Sequence, residues 1–186
     1  MAERVCPWWM GYWLASPMRR WWTQPPEKLL APYVREGMTV LEPGPGMGFF
    51  TLPMARMVGP AGRVVAVDIQ AKMLESLRRR AAKAGLHTRI DTRLAQPDSM
   101  GVSDLSGAVD FVLAFAVVHE LPSVAAFFSE AAAALKPGEL LLLAEPAGHV
   151  KPEMFNRELE TARLAGLEPE ERPAIRRTRT ALLQKV

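Results

Sequence analysis

Apolar residues recur along most of the chain in two spacings that alternate from one segment to the next. Short runs of consecutive apolar residues are typical of buried strands, whereas apolar residues three and four positions apart are typical of helices that pack on one side. Strands are predicted at residues 38–42, 63–67, 88–94, 108–115, 140–144, 167–175 and 178–185. Helices are predicted at residues 27–36, 49–57, 71–84 and 123–135, and a further helix begins at Pro152.

This alternation of strands and helices predicts an α/β fold, with a mostly parallel, doubly wound sheet and helices on both of its faces. In such sheets, ligands bind beyond the carboxyl ends of the strands, where the strand order reverses. Residues that carry chemistry are therefore expected after the first, second and fourth strands.

Composition excludes several classes of protein. The chain has 186 residues, of which 49% are hydrophobic and 23% charged, which is typical of one globular domain. The net charge of +3 is too small to indicate nucleic-acid binding. Cys6 is the only cysteine, so no metal cluster is predicted and a reducing, cytoplasmic location is favoured. The apolar residues 5–18 are too short to span a bilayer, and a signal peptide is the less favoured interpretation.

Acidic residues and glycines follow the first two strands. Glu42 precedes Gly44, Gly46 and Gly48, and three alternate glycines let a bulky ligand approach the backbone because no Cβ is in the way. Asp68 closes the second strand, where a carboxylate can accept both hydroxyls of a ribose. This spacing predicts a nucleotide cofactor, although a plain glycine turn and a turn aspartate remain the simpler interpretations.

The same spacing fits two cofactors, which can be told apart. A dinucleotide-binding loop needs a small residue at the position that Phe49 occupies, and Glu42 would repel a pyrophosphate. A carboxylate at position 42 can instead hold the cationic amino acid end of S-adenosylmethionine, directly or through water. The residues therefore favour S-adenosylmethionine over NAD.

With these residues the chain resembles the class I S-adenosylmethionine-dependent methyltransferases. The resemblance rests on four motifs in the family's order, at residues 42–48, 65–68, 109–120 and 135–144. It implies a Rossmann-like sheet of seven strands in the order 3-2-1-4-5-7-6, the last strand being antiparallel. It also implies methyl transfer by in-line displacement, with S-adenosylhomocysteine as the product.

The resemblance implies a set of cofactor-binding residues along these motifs. They are Glu42, Gly44, Pro45, Gly46, Gly48, Asp68, Ile69, Gln96, Ala114 and Phe115. The chain departs from the family after the third strand, where Gln96 could accept the adenine amino hydrogen but Pro97 has no N–H to donate. Asp98 is an alternative at this end of the cofactor.

Two residues after the fourth strand are candidates for catalysis. His119 and Glu120 are an adjacent imidazole and carboxylate that could serve as a general base. The alternative is that Glu120 caps the following helix while His119 packs under it. His149 is a second, less favoured base, and Asp110 is interpreted as structural.

Residues 1–26 form a separate segment before the domain of residues 27–186 and contain all five tryptophans. By the resemblance, Trp8, Trp9, Tyr12 and Trp13 are predicted to cover the acceptor as a lid. A membrane-interface anchor and a partner surface remain alternatives. The predicted acceptor is a small molecule and not a nucleic acid. A non-catalytic module that docks through the tryptophans is the alternative function, and the oligomeric state stays open.

Overall fold

The computed structural model describes residues 25–186, so Cys6 and the predicted lid residues lie outside the described range. The strands are β1 (Thr39–Pro43), β2 (Arg63–Asp68), β3 (Ile90–Leu94), β4 (Val109–Phe115), β5 (Leu135–Pro146), β6 (Leu167–Glu171) and β7 (Thr178–Lys185). The helices are α1 (Pro26–Leu30), α2 (Thr51–Met57), α3 (Ala71–Lys83), α4 (Val124–Ala134) and α5 (Pro152–Leu164). Short 3₁₀ turns span His87–Arg89, Ser103–Leu105 and Val118–Glu120.

The seven strands form one sheet in the order β3-β2-β1-β4-β5-β7-β6, which confirms the predicted order. The pairs from β3 to β5 are parallel, and β7 runs antiparallel to both β5 and β6. The order reverses between β1 and β4. A crevice is therefore expected at the carboxyl ends of these two strands.

Apolar residues cover both faces of the sheet because alternate residues of a strand point to opposite sides. On one face, Leu41 and Leu143 pack in a cluster with residues of α4 and α5. On the other face, Val40 and Leu142 pack in a second cluster with residues of α1, α2 and α3. The helices thus lie on both faces, as the doubly wound fold requires.

The boundaries of several elements differ from those predicted. The first helix ends at Leu30 rather than near residue 36, because the next turn contains Pro32, whose nitrogen cannot donate a hydrogen bond. The second helix begins at Thr51 because the glycine turn continues through Phe50. β5 begins at residue 135, directly after α4, whereas β6 ends at residue 171.

Asp110 joins the amino ends of three neighbouring strands. Its Oδ2 accepts a hydrogen bond of 2.7 Å from the backbone N–H of Thr39, and its Oδ1 pairs with the ammonium group of Lys136. Asp110 therefore has a structural role at the edge of the sheet opposite to the expected site.

Candidate active site

A cavity of about 500 Å³ lies beyond the carboxyl ends of β1, β2 and β4. Most of the predicted site residues line it: Glu42, Gly44, Pro45, Gly46, Asp68, Ile69, Gln96, Phe115, His119 and Glu120. Gly48 and Ala114 do not line it, and Ala114 is fully buried in the core. The structure therefore brings ten of the predicted residues to one cavity at the point where the strand order reverses.

The three glycines after β1 serve different structural purposes. All have a positive φ, of +67° at Gly44, +53° at Gly46 and +88° at Gly48. A Cβ on Gly44 would lie 2.7 Å from a methyl group of Val117, and a Cβ on Gly48 would lie 2.5 Å from one of Leu77. Of these three glycines, only Gly46 has no other atom within 4 Å of the position that a Cβ would take. Gly46 is therefore the glycine at which a ligand can approach the backbone, whereas Gly48 lets α3 pack closely.

Glu42 is almost completely buried at the end of β1, with 3% of its surface exposed. Its Oε2 accepts a hydrogen bond of 2.5 Å from the hydroxyl of Thr51, the first residue of α2. This contact ties the carboxylate to the helix that follows the glycine turn. Sequence reasoning missed Thr51, because a threonine at the start of a helix carries no signal for such a contact.

Asp68 ends β2 beside the glycine turn and accepts a hydrogen bond of 2.8 Å from the backbone N–H of Gln70. Burial raises the pKa of Asp68 to about 6; the charge of Glu120 adds to this rise, while backbone N–H groups oppose it. These backbone N–H groups thus only partly offset the cost of burying the charge. Two hydroxyl donors from a ligand would stabilise it.

At the far end of the cavity, a tight turn follows β3. The backbone N–H of Gln96 donates to the carbonyl oxygen of Ser99 at 2.9 Å, and both Gln96 and Asp98 line the cavity. The turn is held from the other side by Glu130 of α4, whose Oε2 accepts a 2.9 Å hydrogen bond from the backbone N–H of Met100. Either side chain of the turn is therefore in place to meet a ligand.

His119 lies in the 3₁₀ turn after β4, and its imidazole is paired with a carboxylate that sequence reasoning missed. Its Nδ1 is hydrogen-bonded to Oε2 of Glu145, the penultimate residue of β5. Oε1 of Glu145, which is fully buried, accepts hydrogen bonds from the backbone N–H groups of Val117 (3.2 Å) and Val118 (2.9 Å). The predicted partner, Glu120, lies further away, with 3.9 Å between its Oε1 and His119 Nε2.

A left-handed residue shapes this turn. Ala116 directly follows β4 with a φ of +56°, a conformation that alanine rarely adopts and that is concentrated at functional sites. Val117 and Val118 come next, and their N–H groups both reach Glu145. The backbone thus fixes the carboxylate, and the carboxylate in turn fixes the imidazole of His119.

The pKa of His119 lies above its ordinary value. Burial lowers this pKa, but the hydrogen bond and the charge of Glu145, together with the charges of Glu120 and Glu158, outweigh burial. The alternative interpretation, in which Glu120 caps the next helix, is wrong. The N-cap of α4 is Ser123, whose hydroxyl oxygen accepts a hydrogen bond of 3.2 Å from Ala126 N–H.

Further polar and charged side chains line the rim of the cavity near His119. His149 is exposed, and its ring centroid lies 6.2 Å from that of His119. Arg176 and Arg177, on the loop between β6 and β7, line the same rim.

Within residues 25–186, no group of three or more potential ligands is arranged to hold a metal ion, and none of the helices there is long and apolar enough to cross a membrane.

The strand order, together with a glycine turn and an acidic residue at the ends of β1 and β2, defines the class I S-adenosylmethionine-dependent methyltransferases. Residues 40–138 match the methyltransferase domain family. The chain therefore belongs to this family. S-adenosylmethionine is the cofactor of the class, which confirms the cofactor expected from the sequence.

Individual relatives agree with this assignment. The chain is 34% identical over 116 residues to a ubiquinone biosynthesis O-methyltransferase of Paramagnetospirillum magneticum, a match that covers 62% of this chain and 43% of the relative. It is 34% identical over 119 residues to the corresponding protein of Methylocella silvestris, covering 64% and 44%. The chain thus spans less than half the length of these two relatives.

A solved structure shows the same fold over nearly the whole chain. The S-adenosylmethionine-dependent methyltransferase from Aquifex aeolicus superimposes with a TM-score of 0.85 at 24% sequence identity. The match covers 98% of this chain and 100% of that structure. The likeness therefore extends beyond the family match to β5, β6 and β7.

Four observations show that the cavity fits S-adenosylmethionine. Its volume lies within the range of small-molecule sites. The open side of Gly46 lets the cofactor lie against the backbone, and the buried carboxylate of Asp68 can accept two hydroxyl donors. The acidic Glu42 suits the cationic end of the cofactor.

Arg80 holds the glycine turn from α3. Its guanidinium is partly buried and donates a hydrogen bond to the carbonyl oxygen of Met47. Hydrogen bonds from charged donors contribute roughly 1.5–3 kcal/mol, and loss of this one would loosen the turn around Gly46.

We expect Arg80→Met to weaken binding of S-adenosylhomocysteine about 3- to 10-fold, as measured by calorimetric titration, and to lower the melting temperature by a few degrees. The matched control is Arg79→Met, because Arg79 is exposed and pairs only with Glu75 of the same helix. Equal affinities of the two variants would contradict a role for Arg80 in shaping the turn.

Proposed function

We propose that this protein transfers a methyl group from S-adenosylmethionine to a hydroxyl group of a small molecule, with His119 as the general base. The observation that carries the proposal is the imidazole of His119, which lines the cavity and is oriented through Nδ1 by the buried carboxylate of Glu145. The names of the O-methyltransferases among the relatives support a hydroxyl acceptor.

In this proposal the cofactor lies along the cavity, and each of its parts is held by different residues. Asp68 accepts the two ribose hydroxyls, and Gly46 lets the cofactor lie against the glycine turn. Gln96 or Asp98 meets the adenine amino group. Glu42, with Phe115 beside it, lies at the end that takes the methionine portion. In this arrangement the glycine turn and the turn that carries His119 would hold the reactive end of the cofactor.

The base acts because a hydroxyl is a weak nucleophile until it loses its proton. When bound, S-adenosylmethionine would supply a methyl group: the acceptor oxygen would attack the methyl carbon in line, and the carbon–sulfur bond would break to leave S-adenosylhomocysteine. His119 Nε2 takes the hydroxyl proton as the oxygen–carbon bond forms. The Glu145 carboxylate stabilises the resulting imidazolium, because a buried charge pair interacts strongly. One proton then leaves this group of side chains for solvent.

The proposed acceptor is small and not a nucleic acid, and its site is the rim near His119 and His149. Arg176 and Arg177 at this rim favour an acceptor with a negative group near its hydroxyl. We further propose that the tryptophan-rich residues 1–26 cover the acceptor, with Trp8 and Trp13 among them, and that the protein works in the cytoplasm.

The test is calorimetric titration with S-adenosylmethionine, S-adenosylhomocysteine and NAD, followed by an acceptor screen with tritium-labelled donor. We expect micromolar binding of the first two compounds. We also expect label transfer to hydroxylated aromatic acids in preference to the matched anilines and thiols. Binding of NAD, or transfer to amines and thiols alone, would contradict the proposal.

The second candidate function is a non-catalytic module that binds the cofactor and docks on a membrane through its tryptophans. It rests on the clustering of all five tryptophans before the domain. Flotation with liposomes distinguishes the two, because a docking module should lose membrane binding when residues 1–24 are removed, whereas a lid should show none in either form.

A further inference from the structure

A second buried carboxyl lies on α5, which packs behind the turn that carries His119, because residues of α5 share an apolar cluster with Val118. Glu158 belongs to the stripe of α5 that faces the core together with Phe155, Leu159 and Ala162. Only 3% of its surface is exposed. Within residues 25–186, neither of its side-chain oxygens has a hydrogen-bond partner. A carboxylate buried in this way is unfavourable as an ion and is therefore expected to hold a proton.

The electrostatic surroundings of Glu158 agree with this expectation. Burial raises the pKa of Glu158 to about 7, and the charge of Glu145 adds to the rise, while the charge of His119 acts in the opposite direction. Glu158 in turn is one of the charges that raise the pKa of His119. The two groups therefore influence each other's protonation across the space between α5 and the turn after β4.

Glu145 and Glu158 differ in the number of hydrogen-bond donors around them, and this difference decides which carboxyl is ionised. Glu145 accepts hydrogen bonds from two backbone N–H groups and from the imidazole of His119, so its charge is well solvated by the protein. Glu158 has no such donors among the described residues. When two carboxyls share a buried region, one of them keeps its proton, and here it is Glu158.

We propose that Glu158 is a positioning residue for the base, a carboxyl that stores a proton behind the His119–Glu145 pair so that Glu158 and His119 protonate as one coupled unit. The role given to His119 rests on the proposed function. While Glu158 is protonated, it adds no negative charge near His119. One of the charges that raise the pKa of His119 is then absent, which favours the neutral imidazole with Nε2 ready to accept a proton.

The unit also provides a balanced route for the proton. When His119 Nε2 takes a proton from the acceptor, the new positive charge favours ionisation of Glu158, which releases its own proton to solvent. One proton enters and one leaves, so the net charge of the three side chains does not change. Transfer of the remaining proton from His119 back to Glu158 through solvent restores the starting state.

Other charged and titratable groups near this unit define the controls. Arg179 of β7 lies opposite Glu145 in the register of the sheet, and its Nε donates a hydrogen bond of 2.7 Å to the carbonyl oxygen of Val150. His119 also faces Glu120, whose Oε1 lies 3.9 Å from Nε2, and the ring of His149, whose centroid is 6.2 Å away. Neither group lies behind the pair on α5. Glu160 is two residues from Glu158 on the same helix but is exposed and pairs with Arg163. Glu160→Gln is therefore the matched control for loss of one carboxylate from α5.

The test is a titration of the histidine rings by NMR in the full-length protein without cofactor or acceptor, with the His119 signal assigned from His119→Asn. We expect the His119 signal of wild type and of Glu160→Gln to shift in two coupled steps as the pH changes. In Glu158→Gln, which mimics the protonated carboxyl, we expect a single step for His119 whose midpoint is lower by about half a unit to one unit. Glu158→Asp, which keeps a titrating carboxyl, should retain both steps.

Superimposable His119 titrations in wild type and Glu158→Gln would overturn the proposal. Should Glu158→Gln fail to fold, Glu158→Leu serves in its place, because it fills the core with an apolar side chain and also removes the carboxyl. The titration needs no methyl transfer, so its failure is distinct from failure of the proposed function. With an acceptor in hand, the acid limb of the rate against pH should shift down by the same interval in Glu158→Gln and not in Glu160→Gln.

Discussion

Replacing Asp68 with alanine is expected to weaken binding of S-adenosylhomocysteine by about a hundredfold or more. The carboxylate is proposed to accept both ribose hydroxyls from a position that is 8% exposed, and each hydrogen bond to such a charge contributes roughly 1.5–3 kcal/mol. Calorimetric titration at pH 7.5 measures the loss. Asp104→Asn is the control, because Asp104 lies in an exposed ion pair with Arg93.

The affinity of the wild-type protein should also depend on pH, with a sign that follows from Asp68. Burial raises the pKa of this carboxyl to about 6, so it is mostly ionised at pH 7 and mostly protonated at pH 5. A protonated carboxyl cannot accept both hydroxyls as well, so affinity should fall about tenfold between pH 7 and pH 5. In Asp68→Asn this dependence should disappear. If Asp68→Ala binds S-adenosylhomocysteine as tightly as wild type, Asp68 does not contact the cofactor.

Replacing His119 with asparagine is expected to lower kcat for methyl transfer by about 10²- to 10⁴-fold, the usual contribution of a general base. Asparagine keeps a polar group that can donate to Glu145 but cannot take up the hydroxyl proton. The affinity for S-adenosylhomocysteine should change far less, because the proposed cofactor contacts lie on the other elements. Steady-state rates with tritium-labelled donor, paired with calorimetry, separate the two effects.

Two further variants show whether the loss is specific to the base. Glu145→Gln should lower kcat in the same direction and lower the pKa seen in the acid limb of the pH profile, because the imidazolium loses its charged partner. His149→Gln should stay within about threefold of wild type if His149 only lines the rim. A larger loss in His149→Gln than in His119→Asn would assign the base to the other histidine.

Much of the fold and of the cofactor end of the cavity could be predicted, because these features depend on residues near one another in the chain. The apolar runs of β1, β2 and β4 are continuous because each strand is covered on both faces. Gly46 and Asp68 directly follow two of these strands, and neighbouring parallel strands end at the same edge of a sheet. Their meeting at one cavity follows from the strand order alone.

The carboxylate partner of His119 could not be predicted in this way. Glu120 adjoins His119 in sequence, but the 3₁₀ turn leaves its carboxylate 3.9 Å from Nε2. Glu145 is brought to Nδ1 because β4 and β5 are parallel neighbours whose ends lie side by side. The positive φ of Ala116 could not be predicted from the sequence either, because an alanine does not indicate this conformation.

Long side chains depend even more on the packed structure. The helical pattern of α3 indicates which residues face the core, but it does not show that the guanidinium of Arg80 reaches the carbonyl of Met47. Likewise, Glu158 occupies a position of α5 where the pattern of the helix expects an apolar residue. Only the packing of α5 shows that its carboxyl lies near Glu145 and His119.

The sequence alone was enough for the class of fold, the strand order implied by the resemblance, and the cofactor, because periodicity and short motifs are local properties of the chain. The tertiary structure decided which carboxylate contacts His119, which glycine is open to the cavity, and which buried acid lacks hydrogen-bond donors among the described residues. These three depend on distances between elements far apart in sequence and on the loss of water around their charges. Both arise only when the sheet and its helices have packed together.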